Sequence, residues 1–111
     1  MTENLIEPVA QRFRALSEPQ RLRILVALES GAKPVHEIVA ALGVSQPTVS
    51  RHLQALAEAG LVSRRRSGTS SLYFISDPLV FKLCDLMCGD VTRQAQAALR
   101  QFAPGRKGAQ S

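Results

Sequence analysis

Residues 45–53 read Ser45-Gln46-Pro47-Thr48-Val49-Ser50-Arg51-His52-Leu53, and the folding of this run decides the rest of the chain. Ser45 is a helix N-cap residue, and Pro47 falls in the first turn, where a missing N–H breaks no intrahelical bond. Val49, Leu53 and Leu56 recur at i, i+4 and i+7, so one face points inward. Gly43 suits the left-handed residue that ends a helix. It closes a preceding helix over Val35–Leu42, with Val35, Ile38, Val39 and Leu42 as the apolar face. Gly60 ends the second helix. Two short strands then flank Ser67-Gly68-Thr69-Ser70, which predicts a hairpin over Leu61–Arg66 and Ser71–Ile75. Helix, tight turn, helix and basic hairpin make a helix-turn-helix with a wing, a device that sets one helix in the DNA major groove.

The residue types on the outer face fit that use. With Leu53 inward, Pro47, Thr48, Arg51, Gln54 and Ala55 face outward at 100° per residue, and Gln46 sits at the tip. Arg51 matches guanine O6/N7, and Gln46 matches adenine N6/N7. Ser45 and Thr48 are short hydroxyls near the free amides of a helix N-terminus, a place that binds phosphate, and Ser50 joins the DNA-binding set. His52 lies on the helix flank, where it either bonds a phosphate or packs. Arg64 and Arg66 alternate with Arg65 along one strand, so the three cannot all meet the same phosphates. Gly68 lets the wing tip turn tightly, with Thr69 and Ser70 as donors for a minor-groove edge.

Bulk properties agree. The 111-residue chain is long enough for one domain, and its 45% hydrophobic content excludes a disordered chain. Net charge is +5, which favours a polyanionic partner. Residues 46–73 hold four arginines against Glu58 alone, a net +3. Tryptophan is absent and aromatics are 5%, so there is no stacking platform for single strands. No apolar run approaches a membrane span and no signal peptide opens the chain, so the expectation is a cytoplasmic protein without membrane contact. Cys84 and Cys88 are then expected as thiols rather than as a disulfide.

Outside the central motif, Leu5, Val9, Phe13 and Leu16 predict a helix over about 4–16. Ser17 with Gln20 reads as a capping box for a second helix that ends near Glu29 and buries Leu22, Leu25 and Leu28. Pro78 opens a long last helix to about Phe102, with Val80, Cys84, Met87, Val91, Ala95, Ala98 and Phe102 in one stripe. That stripe is too long for so small a core and calls for a partner surface. The domain is expected to run over 1–103, with a flexible polar tail at 104–111. The fold class is mainly α with a small β-hairpin: four helices, two strands and a last helix.

These residues resemble the arsenic-repressor (ArsR/SmtB) family of bacterial winged-helix regulators. The likeness rests on Ala15-Leu16-Ser17-Glu18-Pro19-Gln20-Arg21-Leu22-Arg23-Ile24-Leu25, on Gln46 to Leu53, and on Ala59-Gly60-Leu61-Val62. It covers about residues 5–100. The resemblance implies a homodimer built from the first and last helices, a double-stranded operator of twofold symmetry, and repression relieved by an inducer. On that basis Leu5, Val9, Phe13, Val80, Met87, Val91, Ala95 and Phe102 form the dimer interface. The family's arsenic site needs a C-x-C-x-x-C run where this chain has Pro34, His36 and Val39. Its zinc site on the last helix needs histidines, and none follows His52. His36 is expected to be an exposed helix residue.

Cys84 and Cys88 are the remaining chemistry, one helical turn apart. Either they are structural, since cysteine packs as a small hydrophobe, or they sense an inducer. Helical neighbours have Cβ atoms about 5–6 Å apart, whereas a disulfide needs about 3.5–4.5 Å. A thiophilic metal or metalloid bridging both sulfurs therefore strains the helix less than a disulfide, and oxidation or persulfidation are further routes. No cofactor is required and no firm metal site is legible. No nucleophile–base pairing, Gly-rich phosphate loop or paired acids point to an enzyme. The competing readings are a ligand-independent regulator with structural cysteines and a winged helix used for protein interaction, the latter disfavoured by the +3 segment.

Overall fold

Glycines and prolines cut the chain into its elements. In the computed structural model, which describes residues 1–102, these are α1 (Glu3–Leu16), α2 (Pro19–Leu28), β1 (Lys33–Pro34), α3 (Val35–Leu42), α4 (Gln46–Glu58), β2 (Val62–Ser67), β3 (Ser70–Ile75) and α5 (Leu79–Phe102). The winged helix-turn-helix order is as expected. The tail expected at 104–111 lies outside the described residues. The chain forms two units, Met1–Asp77 and the segment from Pro78 onward.

In the first unit, α2, α3 and α4 bury Ile24, Leu25, Leu28, Ile38, Val49, Leu53 and Leu56 together with Leu61 and Val62. On α2 the inward frame differs from the expected one. Leu22 is 39% exposed, while Ile24 is fully buried. Ile24 and Leu28 are one turn apart beside Leu25, so Leu22 falls on the flank. The cap of α2 also differs. Ser17 ends α1, and its hydroxyl donates to the Arg14 carbonyl at 2.7 Å. Glu18 is the N-cap of α2 instead, its carboxylate accepting from the Gln20 and Arg21 amides at 2.9 and 3.3 Å. A carboxylate there also suits the positive end of the helix dipole.

The hairpin has a third strand. β1 pairs antiparallel with β3, Lys33 opposite Tyr73 and Pro34 opposite Leu72, so the sheet order is β1-β3-β2. A two-residue strand has no periodicity to read, and proline is tolerated on an edge strand. β2 and β3 pair from Val62–Ile75 to Ser67–Ser70, which leaves Gly68 and Thr69 as the turn. Gly68 has φ 63°, the left-handed region where glycine is favoured.

Helix α1 buries only Ala15, and its Leu5 and Phe13 are 49% and 55% exposed. In the second unit, α5 runs for 24 residues from just after Pro78, whose carbonyl accepts from the Phe81 amide. Met87, Val91 and Leu99 are 57%, 58% and 71% exposed, whereas Val80 is 4% exposed.

Burial on α2 makes a sharp comparison. Ile24→Ala should lower stability by about 2–5 kcal/mol, and Leu22→Ala by less than about 1 kcal/mol, both read from urea unfolding midpoints.

Candidate nucleic-acid interface

The turn between α3 and α4 is built from three residues. Gly43 adopts φ 71°, ψ 24°, and its amide donates to the Val39 carbonyl at 2.8 Å, closing α3. Ser45 is extended and caps α4: its Oγ accepts from the Thr48 amide at 3.4 Å and lies 2.8 Å from the Thr48 hydroxyl. The inner face of α4 is Val49, His52, Leu53 and Leu56, all buried.

The outer face carries Gln46, Pro47, Arg51 and Gln54, all exposed, with Thr48, Ser50 and Ala55 half-buried beside them. Its polar side chains bond along the helix rather than across it. Gln46 Nε2 donates to Ser50 Oγ at 3.1 Å, and Gln54 Nε2 to Glu58 at 3.4 Å. The wing from Arg64 to Ser70, including Thr69, is exposed throughout.

The wing arginines divide by register. Arg64 and Arg66 pair with Tyr73 and Ser71, while Arg65 pairs with Leu72 on the opposite face. The Arg65 guanidinium lies 5.3 Å from the Phe74 ring centroid, within cation–π range. Partners separate the arginines further. Arg12 bonds Asp77, Arg14 bonds Glu7, Arg21 bonds backbone carbonyls, and Arg93 bonds Asp90. Among the described residues, Arg51, Arg64 and Arg66 have no side-chain partner of this kind, and neither do Arg23 and Arg100. Three unneutralised guanidinium groups thus sit on α4 and the wing.

Of the two readings of His52, packing is the one its position supports. It is 8% exposed and faces inward, with Nδ1 3.4 Å from Arg21 Nη1 and Nε2 3.5 Å from Glu18 Oε2. A buried imidazole cannot meet a phosphate on the outer face. The partnership with Glu18 and Arg21 was not legible, because 31 residues separate Arg21 from His52 and no spacing rule links them.

An open cleft of about 170 Å³ is lined by Gln11, Arg14, Ala15, Arg21, Ala55 and Glu58. Its guanidinium groups are already engaged, Arg14 by Glu7 and Arg21 by backbone carbonyls, which argues against an anion site there. On α5, Cys84 is half-buried and Cys88 exposed, one turn apart, and neither is in a disulfide. Among the described residues no group of three His, Cys, Asp or Glu side chains is placed to hold a metal, and His36 is exposed. No described helix is long and apolar enough to cross a membrane.

Several known proteins share this arrangement. The family described as bacterial regulatory protein, arsR family, matches residues 18–64. The HTH-type transcriptional repressor SmtB of Mycobacterium tuberculosis is 41% identical over 73 residues, covering 66% of this chain and 54% of that protein. A probable mercury resistance operon repressor of Streptomyces lividans is 42% identical over 77 residues, covering 69% of this chain and 62% of that one. The chain thus spans little more than half the length of these relatives. The homodimeric winged helix-turn-helix DNA-binding domain of a possible ArsR-family regulator of Mycobacterium bovis superposes with a TM-score of 0.71 at 32% identity, over 95% of this chain and 94% of that one.

The Ser45 cap supports a direct test. Ser45→Ala should cost about 0.5–2 kcal/mol of stability, measured by urea unfolding, and should fray the first turn of α4 in amide hydrogen exchange.

Proposed function

The chain belongs to the ArsR family of bacterial regulatory proteins, and from that premise we propose that it is a homodimeric repressor that reads double-stranded DNA and is released by an inducer. The observation that carries this reading is the set Arg51, Arg64 and Arg66: exposed, without a partner among the described residues, and placed on α4 and the wing. Elsewhere in the first unit most arginines are already bonded to acids or carbonyls. Guanidinium groups left open on a capped helix and a hairpin are suited to bases and phosphates.

Arg51 reads a base edge, with Gln46 at the tip. Ser45, Thr48 and the amides of Pro47's turn meet phosphate, and Arg64, Arg66, Thr69 and Ser70 follow the backbone with the wing. Exposed Leu5 and Phe13 on α1, with Val9 between them, and exposed Met87, Val91 and Ala95 on α5 support the dimer. Phe102 ends α5 and continues the same stripe in sequence. A dimer presents two copies of α4 to an operator of twofold symmetry, about 34 Å apart in successive major-groove turns.

The inducer site is Cys84 with Cys88. Two thiols one turn apart on a helix of the dimer are suited to a thiophilic metal or metalloid, and an oxidant or a persulfide would reach the exposed Cys88 first. A relative named for a mercury resistance operon supports the thiophilic class. The half-burial of Cys84 favours the second reading, a ligand-independent regulator with structural cysteines.

A duplex selected by the protein from a random library, compared with a random duplex of equal length across salt, tests the DNA reading. Specific binding should fall steeply with salt, and Arg66→Ala should reduce the slope by about one. Arg65→Ala, whose guanidinium covers Phe74, should change it less. Arg51→Ala should lose about 1–3 kcal/mol of discrimination at one base step per half-site. Equal affinity for both duplexes would refute sequence reading.

The inducer is tested with mercury(II). Wild type should release the selected duplex, and a Cys84→Ser/Cys88→Ser variant should hold it. Equal release from both removes the thiols from the switch.

A further inference from the structure

His52 is the only buried polar residue among the described residues, and it immediately follows Arg51 on α4. The two side chains against its ring both come from α2 and its cap. Arg21 projects from α2, and its Nε donates to the Ala15 carbonyl at 2.6 Å and its Nη2 to the Arg14 carbonyl at 3.2 Å. Both are last-turn carbonyls of α1, and that of Arg14 also accepts from the Ser17 amide and hydroxyl. The third arm, Nη1, lies 3.4 Å from His52 Nδ1. Glu18 caps α2 with the same oxygen, Oε2, that lies 3.5 Å from His52 Nε2.

We infer that Arg21 and Glu18 are positioning residues that help set the rotation of α4, and with it the aim of Arg51, by holding the His52 imidazole, with Arg21 itself tied to the end of α1. The inference rests on the DNA reading proposed for α4. Val49, Leu53 and Leu56 seat the helix through apolar contact, which is not directional. The apolar stripe sets which face of α4 turns inward, and hydrogen bonds to the imidazole add a directional restraint to that rotation. A guanidinium is a rigid planar fork, so fixing two arms on α1 fixes where the third points. One residue along a helix is 100° of rotation, so a held imidazole at position 52 orients the side chain at position 51. The same fork joins α1, whose Leu5 and Phe13 are exposed, to α4. A shift of α1 is thereby passed to the reading face.

The geometry also selects one tautomer. Arginine only donates, and a carboxylate only accepts. A neutral imidazole with its proton on Nε2 satisfies both neighbours, because Nδ1 then accepts from Arg21 and Nε2–H faces Glu18. The opposite tautomer would set an N–H against the guanidinium and a lone pair against the carboxylate.

Two measurements on the full chain test this. The first compares dissociation constants for the duplex selected by wild type and for a random duplex of equal length, using wild type, Arg21→Lys, His52→Gln and the double variant. Arg21→Lys keeps the charge and loses the fork. It should weaken the selected duplex about fivefold or more, while random-duplex affinity, set by phosphate contacts, stays within about twofold. The double variant should lose less than the sum of the single losses. The second measurement is the nitrogen-15 spectrum of His52, which should report the Nε2–H tautomer in wild type and a changed pattern in Arg21→Lys. A parallel loss on both duplexes, or an Nδ1–H tautomer in wild type, overturns the inference. Should Arg21→Lys fail to fold, His52→Gln gives the same affinity ratio, and the wild-type tautomer needs no variant. A wild type that discriminates beside variants that discriminate equally well removes this inference alone. A wild type that does not discriminate removes the DNA reading, and the inference with it.

Discussion

A single left-handed residue sets the geometry on which the first unit depends. Gly43, at φ 71°, reverses the path of the chain within three residues, so that α3 ends and α4 begins at a fixed angle. A Cβ built at this position meets no atom within 4 Å, so the demand for glycine comes from the backbone and not from crowding. From that angle follow both faces of α4. Val49, Leu53 and Leu56 enter the core beside Ile38 of α3, and Gln46 and Arg51 point away from it. Ser45 then satisfies the Thr48 amide, which keeps the first turn of α4 helical where its outer side chains are displayed.

Features governed by local rules were legible in the sequence. Gly43, Ser45, Pro47 and the i, i+4, i+7 spacing of Val49, Leu53 and Leu56 are enough to place α4, and α3 falls on Val35–Leu42 as expected. The two long strands lie within one residue of the expected ends, since the Gly68 turn and the apolar run Leu72–Ile75 of β3 fix the hairpin. Features that depend on tertiary partners were not legible. Ser17 suits an N-cap by residue type, yet it bonds back to Arg14, and Glu18, not a preferred capping type, takes the place. His52 looks like a flank residue until Arg21 arrives from a different helix. The helical period places Leu22 and Ile24 about 200° apart on α2, but which of them faces the core depends on where α3 and α4 sit. β1 exists only because β3 offers it an edge.

The basic residues of the wing illustrate how pairing register sorts side chains of one type. Three arginines in a row look equivalent in sequence. Once β2 and β3 pair, Arg64 and Arg66 share one face and Arg65 lies over Phe74 on the other. The stem of Arg65 then shields an aromatic ring, as long cationic side chains commonly do. The charge count of the segment therefore overstates how much of its positive potential faces one direction.

The hydrogen bonds of α4's outer face also bear on how such a chain diverges. Gln46 pairs with Ser50 and Gln54 with Glu58, both within the same helix, and Arg51 pairs with nothing among the described residues. None of these side chains is anchored in the core. Substitutions among them leave Val49, Leu53 and Leu56 undisturbed, so the outer face can be rewritten over many generations at little cost in folding. Position 52 is the exception. Because its ring meets Arg21 and Glu18 of α2, and Arg21 in turn bonds the end of α1, a change there is felt beyond α4, and drift at that site is expected to be slow.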